Sequence, residues 1–349
     1  MLKAGIRKLK RFLRYRISGT DPSWTNDQVA ALDIEDLSDI KEFFPRQKFF
    51  IFGHGRSGTT LLARLIRLHP EVHCNWQAHF FTRRPVLQDL VESPEIRGWL
   101  DAESNRWNQG ERLSPLILRA AADFMMERQA VDFGKSIVGD KSPNSQLKGQ
   151  AVQYLHDIYP DGKLIFIVRD GRDVVLSHRF QAFIDFPEFL SASDLQIRND
   201  FAVNEDPFYQ GERSIFTKEW LIQDIQSWRD NLQETDEEAV RLFGDQYRTL
   251  RYEDLISEPE DTLRTLWKFL EVKAPALPER SVIDQEMNRN PDEDWQKEQN
   301  LEIVSSLDKG KAGSWRDLFT ERDRKLFKEL AGQTLIDWHY EKDLDWEAE

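Results

Sequence analysis

A short apolar run, KFFIF at 48–52, stops at Gly53, turns through GHGRSGTT at 53–60, and continues as LLARLIRL at 61–68. The run has the look of a buried parallel strand. Leu61, Leu62, Leu65 and Leu68 fall on one face of a helix expected from Thr59 to Leu68. Glycines in such a turn let the backbone wrap an anion, and the helix start adds free N–H groups and a positive dipole end. The spacing is that of G-x-x-x-x-G-K-[ST], with Thr59 where the lysine belongs. A phosphate site is therefore expected, but not a nucleoside triphosphatase, because nothing in the motif reaches a γ-phosphate. Arg56 supplies the cation beside the phosphate instead.

The rest of the chain supports one kind of scaffold. KLIFIV at 163–168 is a second buried strand, ending at Arg169, and 247–251 is a third. Helices are expected over much of 85–135, over 145–159 up to Pro160, from Asp173, over 219–232, from Pro259 to Leu270, and over 322–335. The stretch GDKSP at 139–143 reads as a loop, and about 185–215 as an irregular lid or insertion. Strands alternating with helices predict an α/β fold, a P-loop-like parallel sheet flanked by helices on both faces. A single domain over 40–340 accounts for the length.

Charge narrows the partners. The net charge is −14, so a nucleic-acid groove is a poor fit. The first 16 residues carry seven basic groups and no acid; removing those seven charges leaves −21 on the remainder. Within this arm, bounded at about residue 20, Leu2, Ile6, Leu9 and Leu13 share a helical face beside Lys3, Arg7, Lys10, Arg11 and Arg14. A basic amphipathic helix of this kind suits either an anionic membrane surface or packing on the acidic body. No apolar run approaches the length of a spanning helix. Cys74 is the only cysteine, which excludes an intrachain disulfide and favours a reducing, cytoplasmic setting. His69 and His73 are four apart, but no further ligand joins them, and no metal is called for.

Arg169 and Ser177 lie eight apart, one at a strand end and one on the following helix. If that helix begins near Gly171, both can face the same side and hold a second phosphate. At this point the chain resembles the sulfotransferases that use 3′-phosphoadenosine 5′-phosphosulfate (PAPS). The resemblance rests on GRSGTTLL at 55–62, LHPEV at 68–72, HFF at 79–81, GDKSP at 139–143, IVRDGRDVVLSH at 167–178, RYEDL at 251–255 and KGKAGSWR at 309–316, in the family's order. It implies the sulfotransferase fold and PAPS as donor, with adenosine 3′,5′-bisphosphate (PAP) as product. By the same resemblance Gly58, Thr59 and Thr60, with Ser57 alongside, hold the 5′-phosphosulfate, and Arg169 and Ser177 hold the 3′-phosphate. Tyr252 lies near the adenine, and Lys309 and Gly310 close over the 3′-phosphate. The aromatic that cytosolic members carry after the Thr-Thr pair is Leu61 here, so the chain looks closer to the tyrosylprotein, carbohydrate and bacterial branches.

Transfer of a sulfuryl group needs a base for the acceptor hydroxyl and a cation for the leaving phosphate. Arg56 suits the second task. The position resembling the base of the tyrosylprotein and heparan-type branches is Gln77, which cannot take a proton. His79, two residues on, is the base expected instead, with Asp140 as the alternative and Lys141 orienting the acceptor or sulfonate. The acceptor expected is a carbohydrate, glycolipid or other small molecule. Two other classes stay open: a Mg²⁺-dependent P-loop nucleotide enzyme, and a non-catalytic nucleotide- or glycan-binding protein.

Overall fold

The computed structural model describes residues 29–272, 278–289 and 311–348. The basic arm at 1–20, with its expected membrane contact, and Lys309 and Gly310 lie outside the described residues. No helix among the described residues is long and apolar enough to cross a membrane.

Among the described residues, five parallel strands form one sheet: β1 (Gln47–Gly53), β2 (Val72–Trp76), β3 (Ile137–Lys141), β4 (Lys163–Val168) and β5 (Tyr247–Arg251). Their order is β2-β3-β1-β4-β5. β1 pairs with β3 in the register Phe49↔Gly139 and with β4 in the register Phe49↔Lys163. β1 is thus central, and the connections part to either side of it. Ligand crevices of open α/β sheets lie at the carboxyl ends of the strands at such a switch point.

The alternation of side chains divides the core in two. Phe50 and Phe52 of β1 and Leu164, Phe166 and Val168 of β4 face one helical layer, built on Ser114–Asp132, Lys148–Ile158, Gly171–Asp185 and Lys218–Phe243. Phe49, Ile51, Ile165 and Ile167 face the other, built on Thr59–Ile66 and Pro259–Phe269. All four β1 aromatic and aliphatic side chains are at most 1% exposed. Each contributes roughly 2–3 kcal/mol of hydrophobic stabilisation. Lys48 opens the same strand yet is buried, because Glu127 (2.7 Å) and Asp123 (3.2 Å) of the helix Ser114–Asp132 meet its ammonium.

Three expectations are corrected. β2 and β3 are absent from the sequence reading, and Gly139–Lys141, expected in a loop, is the end of β3. Its polar residues can be buried because β1 and β2 flank it on both sides and its side chains find partners. The stretch expected to be irregular carries the helices Ala192–Val203 and Asp206–Tyr209. Ser191 caps the first by accepting the Asp194 N–H. The helix expected over 219–232 continues to Phe243, where Gly244 stops it.

Candidate active site

The loop after β1 is braced from β3. Gly53 N–H donates to Asn144 Oδ1 (3.2 Å), Gly55 N–H donates to Ser145 Oγ (2.8 Å), and Asn144 N–H returns to Gly53 O (3.1 Å). A second brace is His54, whose Nδ1–H meets Gly55 O (2.9 Å) while Nε2 accepts from Ser227 Oγ (3.1 Å). Burial pushes the His54 imidazole down to about 4, against opposing attraction from Asp224, so it is neutral near pH 7.

Gly58 caps the helix Thr59–Ile66 in the left-handed conformation, φ 89°. A Cβ there would lie 2.3 Å from Cδ2 of Tyr252, so only glycine fits. Ser57 is wholly buried at this turn, and its Oγ has no partner among the described residues. An orphaned buried donor at a helix start fits an anion oxygen.

Of the expected second pair, Arg169 and Ser177, each meets Arg56. Arg56 Nε donates to Ser177 Oγ at 3.1 Å. Arg169 Nη1 donates to Arg56 O (3.3 Å), and its guanidinium lies 4.5 Å from the centre of the Tyr252 ring. Arg169 Nε is buried and has no partner among the described residues. The backbone of Arg169 is fixed by Trp228 Nε1–H, which reaches its carbonyl at 3.2 Å. Tyr252 is buried between Gly58 and Arg169, at the start of the helix Tyr252–Ser257.

The described part of the expected C-terminal loop joins the same cluster. Arg169 Nη2 donates to Lys311 O at 3.1 Å. Asp173 accepts Gly313 N–H (2.7 Å) and Trp315 N–H (3.1 Å), one on each oxygen. Asp173, Asn144, Ser145 and Ser227 escaped the sequence reading. Only Asp173 left a signal, an acid in the first turn of the helix that follows Arg169.

On the other side of the loop, Lys141 is fully buried and its ammonium donates to Thr60 Oγ1 at 3.0 Å. The Trp76 ring lies 5.1 Å from the same ammonium. His79 and Gln77 both sit at positive φ, 54° and 48°, in the turn after β2. The Gln77 N–H is held by Lys141 O (2.7 Å) and the His79 N–H by Ser142 Oγ (3.0 Å). Asp140 accepts Ser142 Oγ–H (2.6 Å) and Ala78 N–H (3.1 Å), which shapes the turn from below. Burial raises the Asp140 carboxyl to about 6. His79 Nδ1 meets Thr82 Oγ1 at 2.7 Å. Burial, and then the charges of Arg83 and Lys141, lower its imidazole to about 4. The cluster therefore joins the helix-start turn at Ser57–Thr60, cations at Arg56, Arg169 and Lys141, and the neutral imidazole of His79 within reach of Lys141's charge.

Comparison with known proteins identifies the family. A model of the sulfotransferase family matches residues 48–276, well over half of the chain. Among relatives, protein-tyrosine sulfotransferase A of Caenorhabditis elegans is 26% identical over 255 residues, covering 71% of this chain and 57% of that protein. Protein-tyrosine sulfotransferase of Drosophila melanogaster is 26% identical over 227 residues, covering 64% of this chain and 38% of that protein. The match thus spans about half the length of these relatives or less. A solved sulfotransferase from Alicyclobacillus acidocaldarius aligns over 78% of this chain and 99% of that one, at 22% identity and a TM-score of 0.42. On the strength of the family match, this chain belongs to the sulfotransferase family.

Proposed function

We propose that this chain transfers a sulfuryl group from PAPS to the hydroxyl of an acceptor. The observation that carries this proposal is a pair of buried donors without a partner among the described residues, Ser57 Oγ beside Arg56 in the chain and Arg169 Nε on the side chain that binds the Arg56 carbonyl. Two separate donor groups fit a ligand with two separate anionic groups, which a doubly phosphorylated donor has and a simple phosphate lacks. Ser57, Gly58, Thr59 and Thr60 would hold the phosphosulfate end, and Arg169 and Ser177 the 3′-phosphate. Lys309 and Gly310 would close over that phosphate, and Tyr252 would border the adenine. PAPS supplies an activated sulfuryl group whose bond to phosphate breaks as the acceptor oxygen bonds to sulfur.

The side chains then have separable tasks. Arg56 sits where negative charge builds on the departing phosphate, and a fixed cation stabilises that charge most at the transition state. Lys141, held on Thr60, would orient the sulfonate or the acceptor. His79 would take the acceptor proton. Its Nδ1 is committed to Thr82, leaving Nε2 to act, and its low pKa keeps it unprotonated at neutral pH. Asp140 would position the turn that presents His79. The acceptor proposed is a carbohydrate, glycolipid or other small molecule; relatives named for tyrosine sulfation extend the class to a protein hydroxyl. Peripheral membrane contact through residues 1–17 and a cytoplasmic setting complete the proposal.

The test is thermal stabilisation by PAP compared with ATP–Mg²⁺, followed by PAP release from PAPS in the presence of an acceptor panel. Stabilisation by PAP is expected. Stabilisation by ATP–Mg²⁺ alone would overturn the proposal. Arg56→Ala should lower transfer by at least about 100-fold, and unchanged transfer would refute its role.

A further inference from the structure

The helix Glu321–Asp337 is followed by a segment carrying Tyr340, Glu341 and Trp346. Glu341 and Trp346 contact the turn at 169–173 directly, and Tyr340 reaches it through Glu253. Tyr340 Oη donates to Glu253 Oε2 (3.2 Å), and Glu253 Oε1 accepts the Asp170 N–H (3.0 Å). Glu341 pairs with Arg172 Nη1. Trp346 presents its ring 4.6 Å from the Arg172 guanidinium.

Arg172 is the hub. It is 1% exposed and closes on Asp170 through Nε and Nη2. Trp315 lies 4.0 Å from its guanidinium, and the planes of Trp315 and Trp346 meet at 89°. The cation therefore occupies a corner between two indoles. Trp315 is also the residue whose N–H is held by Asp173, in the loop whose Lys311 carbonyl caps Arg169. The far C-terminal segment thus grips both the turn that bears Arg169 and the segment whose Lys311 carbonyl meets it.

We propose that residues 340–346 form a strap that sets donor affinity by pre-arranging Arg169 and the 311–316 segment. This inference rests on the assignment of Arg169 to the donor's 3′-phosphate. Tyr340, Glu341 and Trp346 are positioning residues that act through Arg172 and Asp170. With the strap in place, binding does not have to order the turn and the loop, which is where preorganisation raises affinity.

The test uses the full chain and the variants Trp346→Ala, Trp346→Phe and Glu341→Gln. Trp346→Ala should weaken PAP binding and raise the donor KM by about tenfold. It should leave kcat at saturating donor and the acceptor KM within about twofold. Trp346→Phe should recover most of the loss, since a ring face is retained. Amide exchange at Gly313 and Trp315 should speed up in Trp346→Ala with no ligand present. Glu341→Gln keeps the packing and carries the test if the alanine variant does not fold, with a loss of about two- to fivefold. Wild-type PAP binding matched by Trp346→Ala and Glu341→Gln, with unchanged exchange at Gly313 and Trp315, would overturn the strap. A wild-type chain that binds no PAP would instead overturn the donor assignment, and the strap with it.

Discussion

Replacing Gly58 by alanine tests the turn after β1, the proposed donor loop, at its tightest point. Two costs are separable. The left-handed backbone, φ 89°, disfavours any Cβ by about 1–2 kcal/mol. The added methyl would also stand 2.3 Å from Cδ2 and 2.8 Å from Cε2 of Tyr252. That ring has little room to move, because the Arg169 guanidinium lies on its face at 4.5 Å. Overpacking of this kind costs about 1–3 kcal/mol. Gly58→Ala should therefore lose about 2–5 kcal/mol in urea unfolding, seen as a lower midpoint at constant slope. In a Tyr252→Ala background the steric part disappears, and the same substitution should cost only about 1–2 kcal/mol. PAP stabilisation should be lost in the single variant, because the N–H groups of the turn no longer converge. A loss below about 0.5 kcal/mol, the size of an ordinary surface change, would refute the reasoning. So would an equal loss in both backgrounds.

The remaining predictions concern protons and charge. His54 resists protonation in the folded chain, about 4 against the usual 6.5, so the unfolded chain binds the extra proton between those values. Stability from this group is complete above pH 6.5 and is lost as pH falls toward 4, by about 3 kcal/mol. His54→Gln should flatten that acid limb in pH-dependent unfolding; an unchanged slope would count against it. His79→Ala should lower transfer at least 100-fold, within the range of about 10²–10⁴ for a general base, while Gln77→Ala stays within about twofold. The reverse pattern would move the base to Gln77's neighbourhood. Lys141→Met should cut kcat by about 100-fold while PAP binding weakens far less, which a calorimetric titration would check.

What could be read from the residues follows from which interactions are local. β1, β4 and β5 were legible because each is a short apolar or β-favouring run beside a clear turn. β2 and β3 were not, because VHCNW and IVGDK carry polar residues whose burial depends on partners far away in the chain. Asp140 is acceptable inside only with Ser142 and Ala78, and Lys141 only with Thr60. The helix Ala192–Val203 shows almost no amphipathic pattern and is held by Ser191 and by packing of Phe201. At the site, the loop and the Arg169–Ser177 spacing were visible because local geometry dictates them. The docking of Gly313 and Trp315 on Asp173 was not, since residues 140 or more apart meet there.

The strand order also bears on how the chain is made. β1 and β2 are consecutive, yet β3 lies between them. They cannot pair directly, so the sheet's centre waits for residues 137–141 to leave the ribosome. The braces of the anion loop, Asn144 and Ser145, arrive only a few residues later. Until then, KFFIF is an unpaired apolar strand on a nascent chain, the kind of segment that associates wrongly when exposed. A chain halted before residue 137 should therefore be a chaperone client, and one released after the β4 pairing should not.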